Sequence, residues 1–245
     1  MFRHFINFNI YLSKIFEKFF LFNKNDKLLL QNVFQKEIKT RFKIADVGGG
    51  KKPAKLIKGL KLPKDVTYDG YDISLEELKI SRDFYTKIFA INLNEPIVGK
   101  NSKYDLVICL NTLEHVNNTT QAIKNLNLLV KKGGKLYLKM PCKHALFTKL
   151  NLMMPNQIKN LIMHRIYPHK KGDGFPAFYD KSTPFEIIKI LQSEGLIMEK
   201  ISYVKWSSYF SFFFPFYIIW RIYTIFQNLF IEDYCESFEI IFYKK

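Results

Sequence analysis

The stretch that decides the fold is Ile44-Ala45-Asp46-Val47-Gly48-Gly49-Gly50, an apolar run that ends in three glycines and precedes a helical pattern beginning at Pro53. Glycines at such a turn allow positive φ angles and let the backbone approach a ligand closely. Asp72 follows 22 residues after Gly50, at the end of the next apolar run. A strand-end carboxylate at this spacing accepts hydrogen bonds from the two hydroxyls of a ribose. The sequence therefore predicts an adenosine-containing cofactor at this turn.

Apolar runs alternate with helical patterns on both sides of the glycine turn. We predict strands at 42–47, 66–73, 88–92, 104–110, 135–140, 196–204 and 238–243, and helices at 53–60, 74–84, 119–130 and 184–194. Ser74 and Glu77 have the spacing of a capping box, and Lys131-Lys132-Gly133-Gly134 indicates a helix end and a tight turn. These repeated units predict an α/β fold with a Rossmann-like, seven-stranded and mostly parallel sheet. The last strand is expected to be antiparallel and to lie beside strand 196–204.

The chain divides into a helical N-terminal cap at 1–40 and a domain at 41–245 that carries two insertions. The helical spacing of apolar residues in the cap favours packing on the domain over a location on a membrane surface, which stays open as an alternative. The first insertion, 142–180, is rich in Pro and Gly and is expected on the substrate side. The second, 207–231, is strongly aromatic and is expected to leave from the same sheet edge as the glycine turn.

The aromatic insertion approaches the length that spans a bilayer, but Arg221 inside it makes a full span unfavourable. Two hypotheses remain. In one, the segment is a buried helical elaboration of the domain. In the other, which we favour, its Phe, Trp and Tyr side chains rest at the headgroup level while lysines meet an anionic membrane surface. The second hypothesis predicts a protein that is peripheral on the inner face of the membrane.

The chain of 245 residues carries 38 Lys and Arg against 22 Asp and Glu, a formal net charge of +16. This charge favours anionic partners such as nucleic acid, anionic lipid or a phosphorylated substrate, although a basic background surface accounts for it equally well. Cys109, Cys142 and Cys235 are too few and too far apart for a disulfide framework or a zinc site. The sparse cysteines favour a reducing compartment and no secretory signal is visible, so we expect a cytoplasmic location. No cluster of potential metal ligands has a convincing spacing, so we expect no bound metal.

Several motifs together resemble those of class I S-adenosylmethionine-dependent methyltransferases, over residues 42–141. The segment 46–50 is similar to the first motif of that family, and Tyr71-Asp72-Ile73-Ser74 is similar to the second. Residues 104–107, leading to Leu113-Glu114-His115-Val116, resemble the fourth motif of a subgroup with a Leu-Glu-His signature. Residues 164–180 resemble an insert of bacterial methyltransferases of uncertain substrate, some of them linked to cell-surface polysaccharide synthesis.

The resemblance implies S-adenosylmethionine as the cofactor and assigns the residues that contact it. The expected cofactor-binding residues are Asp46, Gly48, Gly49, Gly50, Asp72, Ile73, Asn92, Leu93, Leu110 and Asn111. Asp46 is expected to orient the loop or to meet the cationic methionine end. Two positions depart from the family pattern. Lys52 stands where a small residue is common, and Asn92 replaces the usual Asp, so its bond to the adenine amino group would be neutral and weaker.

His115 is the candidate catalytic residue, as a base for a hydroxyl acceptor, and the alternative is a histidine that only fixes the loop after strand 104–110. We favour methyl transfer to a small, glycan or lipid-linked acceptor, on oxygen. A nucleic-acid methyltransferase is an alternative that the net charge encourages. Enzymes that methylate base amino groups usually place a polar residue, two prolines and an aromatic after that strand, where this chain has Leu110-Asn111-Thr112-Leu113. A non-catalytic cofactor-binding protein on the same scaffold is the third hypothesis.

Overall fold

A computed structural model describes residues 2–19, 37–57, 62–97, 102–155, 157–159, 176–205, 207, 209–231 and 234–245. The strands are β1 (Lys43–Val47), β2 (Thr67–Asp72), β3 (Ile88–Ala90), β4 (Tyr104–Leu110), β5 (Val130–Pro141), β6 (Leu196–Val204) and β7 (Ser237–Lys244). The helices are α1 (Phe2–Phe19), α2 (Ala54–Ile57), α3 (Leu75–Ile80), α4 (Thr119–Leu129), α5 (Leu146–Met153), α6 (Pro184–Ser193) and α7 (Phe214–Phe230), with short 3-10 turns at Arg82–Phe84 and Leu113–His115.

The strands form one seven-stranded sheet in the order β3-β2-β1-β4-β5-β7-β6. Neighbours from β3 to β5 are parallel, whereas β7 is antiparallel to both β5 and β6. The predicted antiparallel last strand beside strand 196–204 is therefore confirmed. Because β5 and β6 are each antiparallel to β7, they run in the same direction, and the chain leaves β6 at the same sheet edge as it leaves β1, β2 and β4. We refer to this edge as the carboxyl edge.

Alternation of apolar side chains along the central strands builds a core on both faces of the sheet. In β4, Val107 and Cys109 face α4 and α6, while Leu106 and Ile108 face α2 and α3, and all four side chains are buried. A strand that is apolar on both faces is what a parallel sheet between two helical layers requires. The helices of these two layers pack on the faces of the sheet and fix the position of its carboxyl edge.

The segment 131–134 differs from the prediction of a helix end and tight turn. Strand β5 already begins at Val130, which pairs with Tyr104, and the next paired residues are Leu106 and Lys135. The intervening residues loop out as an irregularity within the ladder, where Gly133 has a φ of 77°. The predicted helix 53–60 is observed as α2, and 58–60 lie outside the described residues. Within the first insertion, α5 is helical, and 160–175 lie outside the described residues.

Helices α1, α5 and α7 form a second, smaller core at the carboxyl edge. Its buried members are Phe210, Tyr217 and Trp220, and side chains of α1 and α5 pack against them. Trp220 is fully buried, so the expectation that this tryptophan rests at a lipid headgroup level is wrong. No helix within the described ranges is long and apolar enough to cross a membrane.

Polar contacts fix α1 against α7. The Glu17 carboxylate forms an ion pair of 2.7 Å with the Arg221 guanidinium and accepts a hydrogen bond of 2.7 Å from the Tyr217 hydroxyl. Further along α1, Asn9 Oδ1 accepts a hydrogen bond from the Phe214 backbone N–H at 2.8 Å. Since Arg221 is only 2% exposed, its charge depends on these partners.

We expect Glu17→Ala to release α1 from α7, because the substitution leaves the Arg221 charge buried with less compensation. The loss in the free energy of unfolding should be about 2–4 kcal/mol, measured by urea denaturation, with faster hydrogen exchange along α1. Lys14→Ala is the matched control, since Lys14 is exposed on the same helix. An equal effect of the two substitutions would contradict this account of the α1–α7 contact.

Candidate active site

The glycine turn after β1 is shaped by close neighbours on three other segments. Gly48 has a φ of 79° and Gly50 a φ of 44°, a left-handed region that favours glycine. A Cβ at Gly48 would lie 2.0 Å from the Thr112 hydroxyl, and one at Gly49 would lie 2.2 Å from the Tyr85 hydroxyl. The turn therefore excludes side chains and presents bare backbone at the carboxyl edge.

Asp46 supports this turn from below and is almost fully buried. Its Oδ2 accepts hydrogen bonds from the Ala54 backbone N–H at 2.7 Å, the Tyr68 hydroxyl at 2.6 Å and the Tyr85 hydroxyl at 3.1 Å. Burial raises the pKa of Asp46, while these three donors oppose the rise. The contacts favour the loop-orienting role for Asp46 over contact with a cofactor.

Asp72 joins the end of β2 to the glycine turn. Its Oδ2 accepts a hydrogen bond of 3.0 Å from the Gly50 backbone N–H, and its Oδ1 accepts one of 2.9 Å from Ser74. Ser74 caps α3 as predicted, since its hydroxyl accepts from the Glu77 backbone N–H. The Ile73 backbone N–H also interacts with the Asp72 carboxylate. Because two carboxylate oxygens together have about four acceptor positions, Asp72 retains capacity for a further donor. Burial raises its pKa.

The residues expected around an adenine ring lie beyond β2 and β3. Ile73 is exposed next to Asp72, and Leu93 is buried. The Asn92 amide is engaged locally, because it donates to Glu95 Oε1 at 2.7 Å and accepts from the Asn94 backbone N–H at 3.1 Å. A ligand that uses the Asn92 side chain would have to displace or share these contacts.

The end of β4 supplies the other wall of the site. Leu110 is buried, and Asn111 has a φ of 49° while its backbone N–H donates to the Lys139 carbonyl at 2.8 Å. A non-glycine residue in this conformation carries strain, which clusters at functional sites. The Thr112 hydroxyl donates to the Leu110 carbonyl and touches Gly48, which joins this wall to the glycine turn.

Glu114 is the most unusual carboxyl group at this edge. It is 5% exposed, and its Oε2 has no hydrogen-bond partner within the described part of the chain. Burial raises its pKa to about 8. Its charge acts on the hydroxyls of Tyr179 and Tyr209, whose pKa values burial raises, that of Tyr209 to about 12. The sequence placed Glu114 in the fourth motif but gave no sign that its carboxyl group is buried.

His115 borders the same region and is anchored to the first insertion. Its Nδ1 lies 2.9 Å from the Pro176 carbonyl oxygen, which can only accept, so Nδ1 carries the proton in the neutral ring. Nε2 is then the basic nitrogen. This geometry fits both the base and the loop-fixing interpretation. Two further histidines of the first insertion, His164 and His169, lie outside the described residues.

Segments from both insertions cover this part of the carboxyl edge. The backbone N–H groups of Phe178 and Tyr179 donate to the Glu114 carbonyl, and Tyr179 has a strained φ of 52°. The rings of Phe147 and Tyr209 stack at 3.7 Å. Asp180 accepts from the Thr119 N–H at 3.0 Å and so joins this cover to the first residue of α4. We call this cover, from α5, 176–180 and 209–213, the roof.

Lys52 does not enter the site. Its side chain is exposed, and its backbone N–H closes the turn through the Gly49 carbonyl at 2.9 Å. Tyr68 and Tyr85 are the residues that the sequence analysis missed. Both act through tertiary contacts with Asp46, below the glycine turn, and no local sequence signal marks them.

Comparisons with known proteins bear on this site. The family model described as a methyltransferase domain matches residues 11–183. The uncharacterized protein MJ0638 of Methanocaldococcus jannaschii is 35% identical over 144 residues, which are 57% of this chain and 60% of that protein. The chain thus matches about three-fifths of the length of this relative.

Two solved structures share the fold at low sequence identity. A chain in the complex of the Haloferax volcanii Trm112 methyltransferase activator with a methyltransferase has a TM-score of 0.57, 10% identity and 87% coverage of each chain. Phosphoethanolamine N-methyltransferase 2 of Haemonchus contortus, in complex with S-adenosylmethionine, has a TM-score of 0.52 and 15% identity, covering 90% of this chain and 52% of that one. At these identities the likeness concerns the fold alone.

The raised pKa of the buried Glu114 carboxyl group predicts how the free energy of unfolding depends on pH. Its folded pKa of about 8 lies above the ordinary value of 4.5, so the folded state keeps a proton that the unfolded state releases. Its contribution to the free energy of unfolding therefore falls as pH rises from about 4.5 to about 8. The free energy of unfolding of Glu114→Gln, taken relative to that of the parent, should therefore rise by up to about 3–5 kcal/mol over this interval. Urea denaturation at pH 5 and 8.5 measures this difference.

The matched control is Glu76→Gln, since the Glu76 side chain is 81% exposed. It should keep the pH dependence of the parent, to which Asp46 and Asp72 also contribute. If Glu114→Gln follows the parent as closely as this control does, the raised pKa of Glu114 is wrong.

Proposed function

The chain belongs to the methyltransferase domain family, whose methyl donor is S-adenosylmethionine, and we propose that it binds this cofactor at the carboxyl edge of β1, β2 and β4 and catalyses methyl transfer. The observation that carries the proposal is the 3.0 Å hydrogen bond between the Gly50 N–H and Asp72 Oδ2. It brings bare glycine backbone and a carboxylate with remaining acceptor capacity to one place, as an adenosine group requires.

The residues present fit this cofactor. Gly48, Gly49 and Gly50 line a turn that a Cβ would fill, Asp72 would accept from the ribose hydroxyls, and Ile73 and Leu93 would flank the adenine. When bound, S-adenosylmethionine supplies a methyl group activated by its sulfonium centre. The chain supplies orientation of the acceptor and exclusion of water by the roof.

We further propose that the acceptor is a small, glycan or lipid-linked molecule methylated on oxygen. A hydroxyl acceptor must lose a proton, and His115 Nε2 and the Glu114 carboxylate are the two groups under the roof that could take it. A pKa of about 8 is suitable for a base near neutral pH. A lipid-linked acceptor would be methylated at the inner face of the cytoplasmic membrane. A nucleic-acid acceptor and a non-catalytic role are the alternatives.

Cofactor binding by isothermal titration calorimetry tests the first proposal. We expect the parent to bind S-adenosylhomocysteine, and Asp72→Ala to bind at least about tenfold more weakly, because it loses hydrogen bonds to a charged acceptor worth about 1.5–3 kcal/mol. Gly48→Val should have a larger effect and abolish binding, since the valine side chain would collide with Thr112. Asp83→Ala, which removes an exposed carboxylate in the 3-10 turn after α3, is the control. A parent that does not bind would refute the proposal.

Acceptor class can be tested with S-adenosylmethionine labelled in its methyl group. The purified chain would be incubated with lipid, soluble glycan and RNA fractions of the host cell. Label is expected in the lipid or glycan fraction, and Glu114→Gln or His115→Gln should lower the rate by about 10²–10⁴ if that residue is the base. Label found only in RNA would refute the acceptor proposal while leaving the cofactor proposal intact.

A further inference from the structure

Helix α7 carries apolar residues on two faces. Its buried residues are Tyr217, Trp220, Arg221 and Thr224, and the two aromatic rings among them belong to the second core. Its exposed residues are large and apolar, with Leu229 75% exposed, and they share one face at helical spacing: Ile219, Ile222, Phe226, Leu229 and Phe230. A helix of a globular domain normally places such residues against the core.

Helix α1 likewise has a buried face, which includes Ile6, and an exposed apolar face. Asn9 and Ser13 are buried against α7 and the preceding segment, where Ser13 donates to the Ser211 carbonyl. Phe5, Phe8 and Tyr11 point outward, with Phe8 59% exposed. Scattered apolar side chains on a surface are ordinary, but one-sided faces on two packed helices mark a contact with an apolar partner.

The two exposed faces belong to one unit. Helices α1 and α7 contact each other directly, and the ring of Phe5 on α1 lies 6.4 Å from that of Phe213 at the start of α7. We call the exposed apolar residues of α1 and α7 together the outer face.

The charges around the outer face have one sign. Arg3, Lys14 and Lys18 are exposed on α1, whereas its one acidic residue, Glu17, is paired with Arg221. In α7, Arg221 is the only charged residue, and it is buried. The described parts of both helices thus present cations and apolar groups and no exposed acid. Aromatic and aliphatic side chains next to Lys and Arg are the composition of an interfacial membrane contact.

We propose that the outer face of α1 and α7 docks on an anionic lipid bilayer, with its apolar side chains in the headgroup region and Arg3, Lys14 and Lys18 on the lipid phosphates. The inner polar contacts hold both helices on the domain, so they lie along the membrane surface. The inference deepens the proposed lipid-linked acceptor but does not depend on methyl transfer.

Docking through the outer face would determine which side of the candidate active site faces the membrane. Helix α7 follows the carboxyl end of β6, and its buried residues share a core with α5, which is part of the roof. A membrane held by the outer face would therefore lie on the side of the molecule where the roof covers Glu114 and His115. A lipid-linked acceptor could then reach the site without leaving the bilayer.

Vesicle flotation with the full chain tests the proposal. The parent should float with phosphatidylcholine vesicles that contain phosphatidylglycerol and much less with pure phosphatidylcholine, and high salt should weaken binding. Ile222→Ser with Phe226→Ser, and separately Phe8→Ser with Tyr11→Ser, should each lower the partition coefficient at least about tenfold.

The matched control is Ile80→Ser with Phe185→Ser, two side chains that are 69% and 72% exposed elsewhere on the domain. It should float like the parent. Equal flotation of all variants, or no flotation of the parent, would overturn the proposal. So would a dimer of the parent in lipid-free sedimentation that the outer-face variants dissociate, because the face would then join two copies. Calorimetry with S-adenosylhomocysteine on the same samples separates failure of docking from failure of the proposed cofactor site.

Discussion

The carboxylate of Asp46 is the constraint on which the site depends. It is 1% exposed, and a buried charge is tolerated only where donors surround it. Three donors meet at one oxygen, from the start of α2, from β2 and from the residue after the 3-10 turn at Arg82–Phe84. The Tyr85 hydroxyl and the Asp46 carboxylate itself leave no volume for a side chain at Gly49. The bare backbone at Gly49 is thus a consequence of how this charge is buried.

Much of the fold and part of the site could be predicted from local pattern. Strands β4 and β6 have the predicted bounds, and Ser74 caps α3, because apolar runs and capping residues act over a few positions. The segment 131–134 was misjudged because a glycine pair looks alike in a turn and in a ladder irregularity. Tyr68, Tyr85 and the burial of Glu114 were not predictable, since they arise from contacts between distant segments.

Helices α1 and α7 show why an apolar sequence does not by itself identify a core. Both have apolar residues at helical spacing. From the sequence, we favoured packing on the domain for α1 and a membrane contact for the aromatic insertion. In the structure, the apolar residues of a single helix are divided between core and surface: in α7, Trp220 is buried, whereas Leu229 is exposed. The ion pair of Glu17 with Arg221 lies on the inner faces of the two helices, and their exposed apolar faces lie on the other side.

The central claim is that the carboxyl edge of β1, β2 and β4 is a site for an adenosine cofactor. A crystal structure with S-adenosylhomocysteine tests it most directly. The account predicts ribose hydroxyls on the carboxylate oxygens of Asp72, the amino-acid end near the turn at Gly48, and the adenine between Ile73 and Leu93. A ligand bound elsewhere, with no contact to the Asp72 carboxylate, would contradict it.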